Sequence, residues 1–176
     1  MKISRLLQLF FFLSFIIISS CSENDEELID TSLISFEEAT FSEDEFIIYL
    51  TEDPNGKTFS FGAGTYNFTN TLPLADIENL TIKGAGIDET YFDFSNSAST
   101  SGEGIAATQC SNLLFCGFTI QNTNGGNAIT ARNITGLRID GVGTVWPETS
   151  PDNGAYGIYP VESDDVIVEN CYAQAA

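Results

Sequence analysis

One set of side chains has the types and spacing to hold a sugar: Glu103, Asn127, Arg132, Trp146, Asp152, Asn153, Tyr156 and Tyr159. Tyrosine and tryptophan rings offer flat apolar faces to the C–H surfaces of pyranoses, while carboxylates and amides bond their hydroxyls. An arginine with a carboxylate or tyrosine nearby also suits abstraction of a proton α to a uronate carboxyl, which is lyase or epimerase chemistry. No residue is assigned a catalytic role on this ground. The same residues fit a structural role as well: tyrosines stacked in register, with glycine and asparagine permitting tight bends.

Other chemistries are narrowed by what the chain contains. It has no histidine, which excludes His-based nucleophile mechanisms within it. Cys21, Cys110, Cys116 and Cys171 form no CxxC pair, so structural zinc on Cys and His is not expected. In an oxidising envelope the last three allow one disulfide and leave a thiol over. Buried or half-buried thiols are the simpler expectation. The turn carboxylates Asp88, Glu89, Asp152, Asp164 and Asp165 read as solvated, because calcium needs several converging oxygens and no EF-hand loop is present. No metal and no cofactor is expected, with calcium the one ion left in play.

Acidic residues number 25 against 6 basic ones, a formal charge of −19. The imbalance deepens once Lys2 and Arg5 are removed with the leader described next. It excludes nucleic acid as a partner, which requires basic patches, and electrostatic attraction to anionic lipid. It fits solubility, divalent cations or neutral glycans. An anionic polysaccharide would be repelled unless a cation bridged it.

Lys2 and Arg5 precede an apolar run from Leu6 to Ile18. That run is shorter than the roughly 20 residues of a spanning helix and has the form of an export signal. It ends in Ile18-Ser19-Ser20-Cys21, which looks like a bacterial lipobox and predicts acylation of Cys21. Several acyl chains on one cysteine anchor stably, so the membrane is an expected partner through the lipid. Ser22 in place of Asp favours the outer membrane, and the acidic stretch Ser22–Glu27 is similar to surface-export signals of some lipoproteins. The expected organisation is a signal peptide over 1–20, an acidic flexible tether over 21–42 and one domain over 43–176.

Within that domain Ser42 and Glu45 fit a capping box opening a short helix over 43–51, with Phe46, Ile47 and Leu50 on one side. From residue 72 the chain repeats. Leu72, Ile105, Ile129 and Ile158 begin four segments whose starts differ by 33, 24 and 29. At those offsets Leu80, Leu113, Leu137 and Val166 coincide, as do Ile82, Phe115, Ile139 and Val168. The two columns lie two residues apart, the strand period. Gly84, Gly117, Gly141 and Asn170 follow where the chain must bend. A repeat of this length made of short strands and Gly/Asn turns predicts stacked coils, with like residues over like. The fold expected is all-β, a right-handed single-stranded parallel β-helix with an N-terminal capping helix that covers its end layer.

The same offsets place the first-named residues. Glu103, Asn127 and Tyr156 share one outward column, and Ala106, Thr130 and Tyr159 another, with Arg132 two residues beyond Thr130. Trp146, Glu148, Asp152 and Asn153 stand in the long turn before Tyr156 as an expected rim.

Three segments carry a resemblance: Gly62–Tyr66, Asn79–Thr90 and Asn153–Val161. They resemble an exported bacterial family of parallel β-helix repeat proteins that shares the pectin-lyase-like superfold. The resemblance runs from about residue 43 onward. It implies a β-helix behind a lipoprotein or ordinary signal, and a chain that continues past residue 176 in relatives, so an N-terminal fragment is expected. Three functions stay open: polysaccharide binding, a polysaccharide lyase or epimerase completed by further coils, and a structural or assembly accessory module. Fold likeness alone does not choose among them.

Overall fold

A computed structural model describes residues 32–147, 153 and 156–175. The chain winds as a parallel β-helix of about five turns with one short helix. Each coil lays short strands on up to three faces, and every strand pairs in parallel with its counterpart one coil away.

The first face stacks β1 (Leu33–Phe36), β2 (Thr58–Phe61), β5 (Glu78–Lys83), the first half of β8 (Ser111–Gln121), the first half of β10 (Thr135–Val145) and β12 (Asp164–Glu169). The second stacks β3 (Gly64–Asn67), β6 (Thr90–Asp93), the second halves of β8 and β10, and β13 (Tyr172–Gln174). The third stacks β4 (Leu72–Ala75), β7 (Ile105–Thr108), β9 (Ile129–Arg132) and β11 (Ile158–Val161). The columns expected from the repeat are the observed register. Leu80 pairs with Leu113, Leu113 with Leu137, and Leu137 with Val166.

Alternation explains why these residues form rungs. Along β4, Leu72 and Leu74 are buried while Pro73 and Ala75 are exposed, and β9 repeats the pattern with Ile129 and Ala131. Inward side chains of successive coils therefore meet their own kind and bury apolar area continuously. The strands β8 and β10 each bend in mid-course at Gly117 and Gly141, where φ is 69° and 63°. Pairing skips these two residues and resumes at Phe118 and Val142. A left-handed φ costs a side-chain-bearing residue energy that glycine is spared.

The sharpest corner lies between the third and first faces. Asp76, Gln109, Asn133 and Glu162 stack there with φ between 52° and 55°. Asn79, Asn112 and Asp165 repeat the conformation three residues on, and Gly136 completes that column with φ 75°. The Asn112 amide donates to Asn79 Oδ1 at 3.0 Å, tying adjacent coils.

The helix α1 (Glu43–Glu52) closes the N-terminal end. The Glu45 amide donates to the Ser42 hydroxyl at 3.4 Å, as the capping box predicts. Its buried face places Phe46 against Phe36, Phe59 and Phe61, with ring centroids 5.2–5.3 Å apart. One boundary lies earlier than expected. Residues 33–36, assigned from sequence to the tether, form β1 and pair with β2 from Leu33 to Phe36. The pairing is tertiary, because β2 supplies the hydrogen-bonding edge and the Phe36 ring joins the core.

Candidate functional site

Glu103, Asn127, Arg132, Tyr156 and Tyr159 gather along the third face. The strands β7, β9 and β11 pair in register, so Ala106, Thr130 and Tyr159 lie across three consecutive rungs. Glu103, Asn127 and Tyr156 form the neighbouring column just ahead of these strands. The Gly104 amide donates to the Asn127 carbonyl at 3.1 Å, and the Ala128 amide to the Tyr156 carbonyl at 3.2 Å.

Side chains join these columns. Thr130 donates its hydroxyl to Glu103 Oε1 in a short hydrogen bond. Asn127 Nδ2 donates to the Thr130 hydroxyl at 3.2 Å, and Asn127 Oδ1 accepts the Tyr156 amide at 3.1 Å. Tyr156 and Tyr159 stack with ring centroids 4.8 Å apart and planes 9° apart. They stand three residues apart on either side of the start of β11, and Tyr156 is 52% exposed. A nearly parallel, open pair of rings joined to an amide, a hydroxyl and a carboxylate is the chemistry of a sugar-binding surface.

Glu103 is held in place from the other side. The Thr71 hydroxyl lies 2.8 Å from the Glu103 carbonyl oxygen and 2.8 Å from Ser99 Oγ, with Ser101 Oγ at 3.1 Å. The loop between β6 and β7 carries Ser99 and Ser101, and Thr71 stands just before β4. None of the three stands out in the sequence by a motif; the one signal is the concentration of Ser and Thr between Ser95 and Ser101.

Arg132 is at the far edge of the face. Its guanidinium contacts Glu162 Oε2 at 3.3 Å, and both side chains are exposed. An exposed pair of this kind contributes little to stability, at most about 1 kcal/mol. Val161 pairs with Arg132 across the rungs, which brings Glu162 alongside. Glu162 was missed because it lies in the corner column rather than in a strand.

The expected rim differs. Trp146 is 2% exposed and its indole N–H donates to the Thr123 carbonyl at 3.1 Å. The ring belongs to the core, because it extends the interior beyond Val145 and its one polar atom finds a backbone acceptor there. It is not a surface platform. Asn153 donates to the Ala175 carbonyl at 2.7 Å, next to the end of β13. Glu148 and Asp152 lie outside the described residues, as does Cys21.

Elsewhere Cys110, Cys116 and Cys171 carry free thiols, and burial pushes Cys110 and Cys116 up from the ordinary thiol range. No group of His, Cys, Asp and Glu able to hold a metal occurs among the described residues. No helix among them is long and apolar enough to cross a membrane.

No family model matches the chain, and no curated relative matches it. A solved structure is similar to it: a candidate glycosyl hydrolase from Parabacteroides merdae. The two are 14% identical with a TM-score of 0.43, over 80% of this chain and 96% of the other. The parallel β-helix expected from the repeat and from the family resemblance is the fold the structure shows. The narrower family assignment has no match behind it.

Proposed function

We propose that this chain is a lipid-anchored protein of the cell envelope that binds polysaccharide on the outer side of its third face. The supporting observation is the parallel Tyr156–Tyr159 pair, open to solvent and joined through Asn127 and Thr130 to the Glu103 carboxylate. Flat rings take the C–H face of a sugar, and the polar groups beside them accept and donate to its hydroxyls. The anchor is acylated Cys21, holding the β-helix at the outer membrane and exposing it at the cell surface.

A glycan array probed with the full chain tests the binding reading. Retention on at least one polysaccharide class, lost on Tyr156→Ala, is the expected result. An array without a signal would leave the structural or assembly role as the better account. Cys21→Ser tests the anchor: the wild type partitions with membranes and takes up fatty acid, and the variant does neither. A wild-type chain that stays unacylated overturns it. The lyase or epimerase alternative needs a base beside Arg132, and Glu162 is the group found there. Formation of unsaturated uronate by wild type and not by Arg132→Ala would establish that chemistry.

A further inference from the structure

The geometry points to a polysaccharide carrying free amines as the ligand: one sugar ring lies on the tyrosine pair and an ammonium of the same sugar chain is held by Glu103. This inference rests on the glycan reading of the third face and specifies the sugar.

Glu103 is the observation that carries it. One carboxylate oxygen accepts the Thr130 hydroxyl. Among the described residues no cation pairs with Glu103. Arg132 is engaged by Glu162, Arg138 by Asp140 and Glu169, and Lys57 by Asp53, while Lys83 is on the first face beside Cys116. The carboxylate is half-buried, at one end of the Glu103–Asn127–Tyr156 column, and the Thr71–Ser99–Ser101 hydroxyls pin the backbone that presents it. A negative charge fixed beside a sugar-binding face discriminates by charge. A uronate there would meet a like charge and the −19 field of the chain. A neutral unit would leave the charge unmatched. An ammonium forms a charge-assisted hydrogen bond with it, and a second amine gains from the electron-rich faces of Tyr156 and Tyr159.

Spacing limits where the amine can be. The Glu103 and Tyr156 backbones are two rungs apart, but the Glu103 carboxylate reaches the Thr130 hydroxyl, and Thr130 is one rung, about 4.8 Å, from Tyr159. The paired ammonium therefore belongs to the stacked ring or to the unit next to it. The stacked rings leave an outer aromatic face that suits a sugar ring better than a basic peptide, which shares only the charge.

Titration calorimetry of the full chain at low ionic strength tests this, with β-1,4 tetramers of glucosamine, N-acetylglucosamine and glucose, and a galacturonate tetramer. The glucosamine tetramer should bind about fivefold more tightly than its acetylated counterpart, the upper range for one exposed ion pair. Added salt should erode that margin, and the galacturonate tetramer should bind most weakly. Glu103→Gln should remove the amine preference, bringing the glucosamine and N-acetylglucosamine tetramers to equal affinity. Glu78→Gln, a carboxylate on the distant corner, should leave the preference intact. Equal affinity for amine and acetylated tetramers overturns the inference while the glycan reading stands. So does an equal loss on Glu78→Gln, or an oligolysine that binds as well with the same Glu103 dependence. Failure of every tetramer to bind overturns the glycan reading itself.

Discussion

The first coils and the later ones share their rungs but not their filling. Around α1 the interior holds Phe36, Phe41, Phe46, Phe59, Phe61 and Phe68, each ring within 6.4 Å of at least two others. In the coils of β7 to β10 the interior is mainly aliphatic, with Leu113, Ile120, Ala131, Leu137, Ile139 and Val142 around Phe115, Phe118 and Trp146. Where one coil lies on another, like residues repeat and mostly aliphatic side chains fill the gap between regular layers. Where a helix must cover the end layer, the fit is irregular, and large rings at varied tilts fill it better. The relation reverses on the outside. The outward aromatic pair, exposed Tyr156 and half-buried Tyr159, is on the mainly aliphatic part of the helix, while Tyr66 near α1 is buried with its hydroxyl on the Phe36 and Gly62 carbonyls. Rings fill the interior around α1 and stand on the surface farther along the chain.

Substitutions can break or sharpen this contrast. Phe46→Ala should have the largest effect, about 3–5 kcal/mol lost in a denaturant titration, because a fully buried ring is removed from under the helix. Leu137→Ala in the aliphatic stack should cost less, about 2–4 kcal/mol, since its neighbours above and below, Leu113 and Val166, are smaller than the rings around Phe46 and collapse more readily. If Leu137→Ala proved the more damaging, the aromatic cap would not be the better-packed end.

Between these regions, Asp93 gives a pH signature. Burial pushes its carboxyl up, but hydrogen bonds from Ser95, Gln121 and Asn122 outweigh burial and hold it below the ordinary carboxylate value. The stability this adds is present above the ordinary range and is lost as pH falls through it toward the depressed value. Asp93→Asn should flatten that part of the stability–pH curve, followed by thermal unfolding. An unchanged curve would remove Asp93 from the account.

The smallest expected effect is at the corner. Gln109 holds a φ of 55° that asparagine adopts more readily. Gln109→Asn should therefore raise stability by about 0.5 kcal/mol, read as a small increase in denaturant midpoint. A decrease would mean that the glutamine side chain contributes to holding adjacent coils.

Much of this architecture was legible because it repeats. The Leu80 and Ile82 columns, the capping box at Ser42 and the Glu103–Asn127–Tyr156 column follow from offsets alone. What escaped depends on contacts between distant segments. Leu33–Phe36 lies among acidic residues and becomes a strand only through the edge offered by β2. The left-handed corner at Gln109 and Glu162 carries residue types that do not announce that conformation, unlike Asn133 in the same column. Trp146 looked like a rim because its turn is polar, and its acceptor on Thr123 lies 23 residues away.

The proposal that the third face binds sugar is tested most directly by titrating the full chain, wild type and Tyr159→Ala, with a polysaccharide that the wild type retains. Removing one ring of the pair should weaken binding about tenfold, the equivalent of about 1.4 kcal/mol, with unfolding behaviour unchanged. Equal affinity of the two proteins would contradict the proposal, because the rings would then only decorate the surface of the helix.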